Sequence, residues 1–262
     1  SASVVVAYKA VNFNAVNITF ENSFDESLPI QSKQAVALRN EADKSTFVNC
    51  RFIGDQDTLL VNKNVTQHYY RCYIEGDVDF IFGSATAVFE ECELFSSNRA
   101  GISPKGYIVA PSTEKGRYGY LILNSKLSSD VDVDGSVYLG RPWQPSNVTV
   151  PMDSMTIFMN TDMGSHISKK GWDSMSGVSP LDNTMFEYGS TGPGAVKYSD
   201  SRRKLSDEEA AKFTKEAFMG GWDNSHVIDA LSSYVVKEVA DLSKHDMSNV
   251  ELDRAANIVV DG

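Results

Sequence analysis

The sequence predicts a β-solenoid, an all-β fold in which short strands stack coil upon coil. Two observations support this prediction: a six-residue pattern recurs along the chain, and its copies around Cys50, Cys72 and Cys92 lie 22 and 20 residues apart. A repeat of about 20 residues with one short strand per copy is typical of solenoids. A chain of 262 residues, of which 42% are hydrophobic, is long enough to bury such a core.

The repeated pattern reads apolar, two variable, small, variable, apolar. Its copies are FNAVNI (13–18), FVNCRF (47–52), YYRCYI (69–74), FEECEL (89–94), ILNSKL (122–127) and FMNTDM (158–163). Because alternate residues of a strand face opposite sides, we expect the fourth and sixth positions to face inward and the first to lie at a bend. The three cysteines share the fourth position, which predicts a column of buried, unpaired thiols. An odd number of cysteines without a CxxC spacing also argues against a disulfide framework or a zinc site.

Near its end the chain changes to helical patterns. The segment LSDEEAAKFTKEAFMGG (205–221) has Ser206 as an N-cap, Glu209 three residues later as the second half of a capping box, and two glycines that end the helix. A second helical pattern places Ile228, Leu231, Val235, Val239 and Leu242 on one face. We therefore expect a β-helix domain over residues 1–224, lacking its first coils, and a helical tail or linker over 225–262.

The charge balance excludes several partners. The net charge of -11 and the pI of about 4.8 argue against binding to nucleic acid or to an anionic membrane surface. A strongly anionic polymer would be repelled, whereas an esterified polyuronate would be tolerated better. No run of 18 apolar residues predicts a membrane span, and the opening SASVVVAYKA lacks the basic region of a signal peptide.

Two aspartates are the first candidates for chemistry. Asp57 lies seven residues after Cys50 and Asp79 lies seven after Cys72, so they occupy the same position in consecutive coils. Coils stack at the strand spacing of ~4.8 Å, and carboxylates this close repel, so one should keep its proton near neutral pH. An acid beside a carboxylate suits one general acid and one nucleophile or base. The alternative is a pair of solvated loop aspartates.

Other polar residues favour the catalytic interpretation. Asp79 stands in the apolar segment GDVDFIFG, where an unpaired charge would be costly, and Arg141 in YLGRPW is a suitable partner. Gln34 and Gln56 supply amide donors that could hold an oxyanion. Read singly, each glutamine could instead be routine polar packing.

These residues belong to segments that resemble the pectin methylesterases. The matching segments, in unbroken order from about residue 1 to 223, are QAVALR (34–39), GDQDTL (54–59), YIEGDVDFIFGSATAVF (73–89), YLGRPW (138–143), FMNTDMGSHI (158–167) and GW (171–172). The resemblance implies a right-handed parallel β-helix that removes methyl esters from the galacturonate units of pectin. It implies no metal and no cofactor. The implied partner is methylesterified homogalacturonan. The resemblance also implies that the protein is secreted, extracellular and a monomer.

The resemblance also assigns roles. It makes Asp79 the nucleophile, Asp57 the general acid and then the base, and Arg141 the residue that orients the nucleophile. The oxyanion site would be lined by Gln34 and Gln56. The residues implied to contact substrate are Trp143, which stacks on the sugar, and Phe80, Met163 and Trp172, which lie near the cleft.

Two other functions remain open from the residues alone. One is a non-catalytic pectin-binding β-helix, which would keep the cleft aromatics but lose one of the five polar residues. The other is a polyuronate lyase or hydrolase on the same fold. A lyase would use a denser acidic cluster with Ca²⁺, and a hydrolase would place carboxylates around a glycosidic oxygen.

Overall fold

The computed structural model describes residues 2–62, 64–146, 148–197 and 200–234, whose strands form three parallel sheets. Strands are numbered in chain order. Sheet A contains β1 (Ala2–Val6), β4 (Val36–Asn40), β7 (Leu59–Val61), β10 (Val78–Gly83), β13 (Gly106–Pro111) and β16 (Val137–Gly140). Sheet B contains β2 (Asn14–Val16), β5 (Ser45–Val48), β8 (Thr66–Tyr70), β11 (Thr86–Glu90), β14 (Tyr120–Leu123), β17 (Thr156–Met159) and β19 (Met185–Tyr188). Sheet C contains β3 (Thr19–Glu21), β6 (Arg51–Ile53), β9 (Tyr73–Gly76), β12 (Glu93–Ser96), β15 (Lys126–Ser129) and β18 (Asp162–Met163).

Each strand up to β15 pairs with the strand three places along the chain, so a coil contributes one strand to each sheet. At the end of the solenoid β17 pairs with β19 in sheet B. This arrangement is a parallel β-helix, and it confirms the predicted all-β solenoid. Such a fold stacks equivalent residues of consecutive coils next to each other, because neighbouring strands are ~4.8 Å apart.

The turn between sheets B and C explains the six-residue pattern. Its third position has a left-handed backbone, with φ of 49° at Asn49, and the following copies repeat this conformation. The turn changes the phase of the alternation, so Phe47, Cys50 and Phe52 all face the core with no exposed surface. The expectation that the first apolar position lies at a bend is therefore wrong. That position lies within a strand of sheet B, and the bend comes two residues later.

The first copy of the pattern is displaced in the structure. Ala15 pairs with Phe47, so Asn17 takes the position of Asn49 in the preceding coil. The side-chain amide of Asn49 donates to the side-chain oxygen of Asn17 over 2.8 Å. In the first coil the six-residue pattern therefore begins at residue 15, two residues later than the copy predicted at 13–18.

Columns of like side chains fill the core. The rings of Phe47, Tyr69 and Phe89 stack in successive coils, with centroid separations of 5.0 and 4.8 Å. Stacked aromatic pairs of this kind add ~0.5–1.5 kcal/mol to the free energy gained from burying their area. Beside them the thiols of the three cysteines, Cys50, Cys72 and Cys92, are buried and free, as predicted.

The expected helix over 205–221 forms as two shorter helices, α1 (Asp207–Ala210) and α2 (Lys215–Met219). The capping box of Ser206 and Glu209 is present, which confirms the predicted start. The helix breaks because Thr214 acts as a second N-cap and accepts the backbone amide of Ala217. Gly220 ends α2 in the left-handed conformation.

These helices cover the outer face of sheet B, where Phe218 and Met219 pack against apolar side chains of that sheet. A third helix, α3 (Ser225–Ser232), contacts β2 and β5. It contains Ile228 and Leu231 of the second helical pattern. The remaining members of that pattern, Val235, Val239 and Leu242, lie outside the described residues. Among the helices that the structure describes, none is long and apolar enough to cross a membrane.

Candidate active site

Asp79 lies near the start of β10, on a backbone that departs from regular strand geometry. Its φ is 52°, and the pairing with β13 moves from Val78↔Tyr107 to Ile81↔Val109, so β10 carries one extra residue at this point. This is a β-bulge, a device that redirects side chains at functional sites. The left-handed conformation is uncommon for a non-glycine residue, although aspartate tolerates it better than most.

Asp57 occupies the equivalent turn of the preceding coil, just before β7. It is also left-handed, with φ of 66°, and its amide donates to the carbonyl of Val78 over 3.0 Å. The two aspartates therefore follow the same turn conformation in consecutive coils. The predicted stacking of Asp57 and Asp79 is present in the structure.

The charges of the two carboxyl groups differ because their surroundings differ. Burial and the nearby charge of Asp79 raise the pKa of Asp57 to about 7, against the opposing effect of Arg141. Burial raises the pKa of Asp79 as well, but there the hydrogen bonds and the charge of Arg141 counteract the rise. Only Asp79 is stabilised in its charged form by hydrogen bonds from Arg141, so near neutral pH a proton on this pair is favoured on Asp57 over Asp79.

Arg141 holds Asp79 through a two-point contact. Its Nε lies 2.9 Å from Asp79 Oδ1 and its Nη2 lies 2.6 Å from Asp79 Oδ2. The guanidinium also lies over the ring of Tyr107, 3.9 Å from the centroid. Bidentate pairing and ring stacking are both specific to arginine and fix the orientation of the carboxylate.

The backbone before Arg141 explains the glycine in YLGRPW. A Cβ on Gly140 would lie 2.4 Å from the carbonyl oxygen of Val109, so a larger residue would push the segment away from β13. This close approach lets the amides of Arg141 and Trp143 donate to the carbonyls of Val109 and Pro111, both over 3.0 Å. Sheet A is thereby extended beyond β16, and Arg141 reaches across β13 to Asp79.

The two glutamines belong to adjacent coils: Gln56 directly precedes Asp57, and Gln34 lies in the coil before it. The carbonyl of Gln56 accepts the amide of Ala35 over 3.0 Å, which brings Gln34 beside Gln56. The Gln34 side chain is exposed, and its oxygen accepts the hydroxyl of Ser32. Along sheet A the structure thus orders Gln34, then Gln56 with Asp57, then Asp79.

Trp143 is partly exposed, and its ring lies 5.8 Å from that of Phe82, which stands on the same strand as Asp79. Asn62, Ser84, Ser112, Glu114, Trp143, Pro145, Val148 and Met152 line a hollow of about 260 Å³ next to this pair. An aromatic face at the edge of a hollow is suited to contact with a sugar ring.

Three residues expected near a cleft are not brought to the surface. Phe80 and Met163 have no exposed surface, and Trp172 is 4% exposed. All three belong to the hydrophobic core; Trp172 packs on Phe158 with a centroid distance of 5.8 Å. The extra residue in β10 explains the case of Phe80, because it turns Phe80 inward and leaves Phe82 next to Trp143. The expectation that these three side chains contact substrate is corrected accordingly.

Two residues of the site were missed by the sequence reasoning, Phe82 and Tyr107. Phe82 stands in the same segment as Asp79, but the bulge that turns it outward has no signal in the sequence. Tyr107 stacks on Tyr138 with centroids 5.5 Å apart, and its hydroxyl donates to Asp173 over 3.1 Å. The alignment of Tyr107 with Val78 and Tyr138 across three coils is visible only once the strand register is known.

No group of three or more potential metal ligands suited to holding an ion occurs within the described ranges. A hollow of about 630 Å³ lies away from the aspartates. It is lined by residues of β8, β11 and the C-terminal helices, including His68, Glu90 and Lys215.

Comparison with known proteins gives a consistent result. The family model described as Pectinesterase matches residues 1–222. The chain is 36% identical over 258 residues to Pectinesterase A of Dickeya chrysanthemi, and the match covers 85% of this chain and 69% of that protein. The structure is similar to that of pectin methylesterase PemA from Erwinia chrysanthemi, with a TM-score of 0.77, 35% identity, and coverage of 85% of this chain and 73% of that one. It is also similar to a pectin methylesterase in complex with hexasaccharide VII, with a TM-score of 0.75, 34% identity, and coverage of 85% and 73%.

Proposed function

Because the chain belongs to the pectinesterase family of enzymes, we propose that it hydrolyses the methyl esters of galacturonate units in pectin, releasing methanol and a free carboxylate. One observation carries the proposal. Two aspartates stand in the same turn of adjacent coils, and one of them is held at both oxygens by Arg141. This arrangement supports a carboxylate nucleophile beside a carboxylic acid.

The electrostatic environment supports a division of work between the aspartates. Asp79 would attack, because the bidentate contact with Arg141 favours its charged form and directs its oxygens. Asp57 would act as the general acid, because burial and the charge of Asp79 keep its proton near neutral pH. Tyr107 would support the attack indirectly, by fixing the plane of the Arg141 guanidinium.

The reaction would proceed in two halves. The Asp79 carboxylate adds to the ester carbonyl, and the side-chain amides of Gln34 and Gln56 stabilise the negative charge on the carbonyl oxygen. The intermediate collapses to an acyl-enzyme as Asp57 gives its proton to the departing methoxide, which leaves as methanol. Asp57, now ionised, takes a proton from water, and the hydroxide adds to the acyl carbonyl. Breakdown of this second intermediate releases the galacturonate acid and restores both aspartates.

Substrate binding would rely on stacking and on charge. Trp143, with Phe82 beside it, provides an aromatic surface for a sugar ring. The net charge of -11 disfavours a fully de-esterified polymer, so a methylesterified stretch of homogalacturonan is the partner that fits best. We further propose that the protein acts as a monomer outside the cell, where pectin would be met.

The replacement Asp79→Asn tests the assignment of the nucleophile. We expect it to abolish methanol release from methylesterified pectin, because the amide is a poor nucleophile, while the circular dichroism spectrum stays unchanged. Asp132→Asn, at an exposed aspartate in a loop, is the matched control and should keep full activity. Methanol release above a few percent of wild type by the Asp79 variant would remove Asp79 as nucleophile.

The same pectin sample separates the competing functions. A lyase would generate unsaturated product that absorbs in the ultraviolet, and a galacturonan hydrolase would generate reducing ends. A binding protein would give none of the three signals. Methanol release without the other two products is the result that we expect.

A further inference from the structure

A cluster of charged side chains lies beside the aspartates and has no role in the steps above. Arg99, in the loop between β12 and β13, contacts two carboxylates: its Nε lies 3.0 Å from Glu26 Oε2, and its Nη1 lies 3.4 Å from Asp77 Oδ2. Glu26 belongs to the loop between β3 and β4, and Asp77 to the turn before β10. The side chains of Glu26 and Asp77 are only 10% and 2% exposed. These three residues, here the Arg99 cluster, join two long loops to one turn of sheet A.

Glu26 connects this cluster to both proposed oxyanion donors. Its Oε1 accepts the backbone amide of Gln56 over 3.3 Å. The carbonyl of Gln56 in turn accepts the amide of Ala35, the residue after Gln34, over 3.0 Å. The positions of the two glutamines therefore depend on where Glu26 is held.

Asp77 connects the same cluster to the general acid. Its Oδ1 accepts the amide of Val78 over 2.5 Å, and the Val78 carbonyl accepts the amide of Asp57 over 3.0 Å. The Arg99 cluster thus reaches the turn that carries Gln56 and Asp57 by two short paths of hydrogen bonds. None of its three side chains is needed as a reacting group.

We propose that Glu26, Asp77 and Arg99 are positioning residues that hold Gln34, Gln56 and Asp57 in place for catalysis. The inference rests on the proposed function and adds residues that act through others. Errors of about 1 Å in the position of a catalytic group can reduce turnover by up to about 10²-fold, so such support has a measurable effect.

The charge of the Arg99 cluster also changes near neutral pH. Burial, the charge of Asp77 and a hydrogen bond with Asp77 raise the pKa of Glu26 to about 7, against the opposing charge of Arg99. Asp25 and Asp55 line the same hollow of about 320 Å³, and the Lys33 ammonium contacts the Glu26 carbonyl. Below that pH a protonated Glu26 can donate to Asp77. Above it, two carboxylates face one guanidinium, so the cluster should loosen.

Variants of Glu26 and Arg99 test this inference. Glu26→Ala removes the acceptor for the Gln56 amide, whereas Glu26→Gln keeps an acceptor oxygen and mimics the protonated acid. At pH 6 we expect Glu26→Ala to lower kcat about 10-fold with a smaller change in KM, and Glu26→Gln to stay within about twofold of wild type. Glu21→Gln, at an exposed glutamate at the end of β3, is the control and should match wild type.

Amide hydrogen exchange supplies a readout that does not depend on activity. Relative to wild type, Glu26→Ala should exchange faster in residues 22–35 and 97–105. Corrected for the intrinsic rate, exchange in these loops should rise between pH 6 and 8 in wild type and stay flat in Glu26→Gln. Arg99→Lys, which keeps the charge but loses the fork that bridges both carboxylates, should resemble Glu26→Ala and replaces it if that variant fails to fold.

Unchanged kcat and unchanged loop exchange in Glu26→Ala or Arg99→Lys would overturn the inference, as would an effect on KM alone. If wild type releases no methanol, the proposed function fails, while the exchange data still decide whether the cluster holds the loops. Loss of methanol release in Asp79→Asn together with normal kcat in the Arg99 cluster variants would keep the function and reject the positioning role.

Discussion

At the scale of single residues, the difference between Asp57 and Asp79 arises from one neighbour. Both carboxyl groups are withdrawn from water, and withdrawal by itself raises the pKa of each. Only Asp79 receives two hydrogen bonds from Arg141, so the cost of charging it is partly offset. For Asp57, burial and then repulsion from the charge of Asp79 raise the pKa to about 7, which favours its protonated form.

This difference predicts the pH dependence of the reaction. In the proposed mechanism Asp57 must be protonated to release methanol, so kcat/KM should fall as the pH rises above about 7, approaching a tenfold loss per pH unit. Asp79 must be ionised, and since burial raises its pKa, activity should also fall on the acid side, at a pH above the ordinary 3.8. The measurement is methanol release at substrate concentrations well below KM, from pH 4 to 9.

The alkaline fall should remain in Glu26→Gln, because the group responsible is Asp57. If it disappears in that variant, the titration belongs to Glu26 and our assignment of the general acid fails. Asp57→Asn should be nearly inactive at every pH and should slow both the formation and the breakdown of the acyl-enzyme. A variant that slowed neither step would make Asp57 a structural residue.

At the scale of the elements, the bulge in β10 decides which of its two phenylalanines packs in the core and which packs against Trp143. It places Asp79 and Phe82 outward and leaves Phe80 in the core. Phe82 then supports the ring of Trp143, which stands on the extended segment after β16. Two segments that are far apart in sequence thus contribute to one aromatic pair, in which Trp143 is the more exposed ring.

We predict that Trp143→Ala raises KM for pectin more than it lowers kcat, because it removes stacking that is equal in the ground and transition states. Phe82→Ala should act in the same direction but more weakly, through loss of support for Trp143. Steady-state kinetics on pectin of fixed methylation measure both effects. Phe95→Ala, at a half-buried phenylalanine of β12 in sheet C, is the control for loss of a ring away from the site. An unchanged KM in Trp143→Ala would mean that the ring does not contact the sugar.

At the scale of the whole molecule, the last coil is held by a buried ion pair. Arg202 and Glu187 have no exposed side-chain surface and lie in hydrogen-bonding contact. The guanidinium also donates to the carbonyls of Ser168 and Gly194 over 3.1 and 2.8 Å. The Arg202 side chain thus joins its own segment to those of Ser168, Glu187 and Gly194. These contacts stabilise the end of the solenoid next to β19.

Replacing Arg202 by Met should lower the free energy of unfolding by about 3–5 kcal/mol, because Glu187 would stay buried without its partner. Urea unfolding followed by circular dichroism measures the change. The double variant Arg202→Met with Glu187→Gln should recover part of the loss, since it removes the stranded charge. A loss below ~1 kcal/mol in the single variant would show that the pair contributes little.

The periodic spacing of the sequence determined the coil architecture, the column of buried thiols and the equivalence of Asp57 with Asp79. These follow from the chain itself, because in a solenoid the length of one coil sets which residues become neighbours. The capping box at Ser206 was equally readable, since it is a contact between residues three apart. The helix that begins there is nevertheless short, because Thr214 caps a second helix. The sequence did not indicate this second cap, since the apolar pattern continues through it.

Only the tertiary structure decided the features that depend on pairing between strands. The left-handed turn at Asn49 and the bulge at Asp79 each change the face that a side chain presents, and neither follows from alternation along one strand. For this reason Phe82, and not Phe80, lies beside Trp143. The contact of Glu26 with Gln56 could not be predicted from the sequence for a related reason. Glu26 lies in a loop without a repeating pattern, so its neighbours are determined only by how the adjacent coils stack.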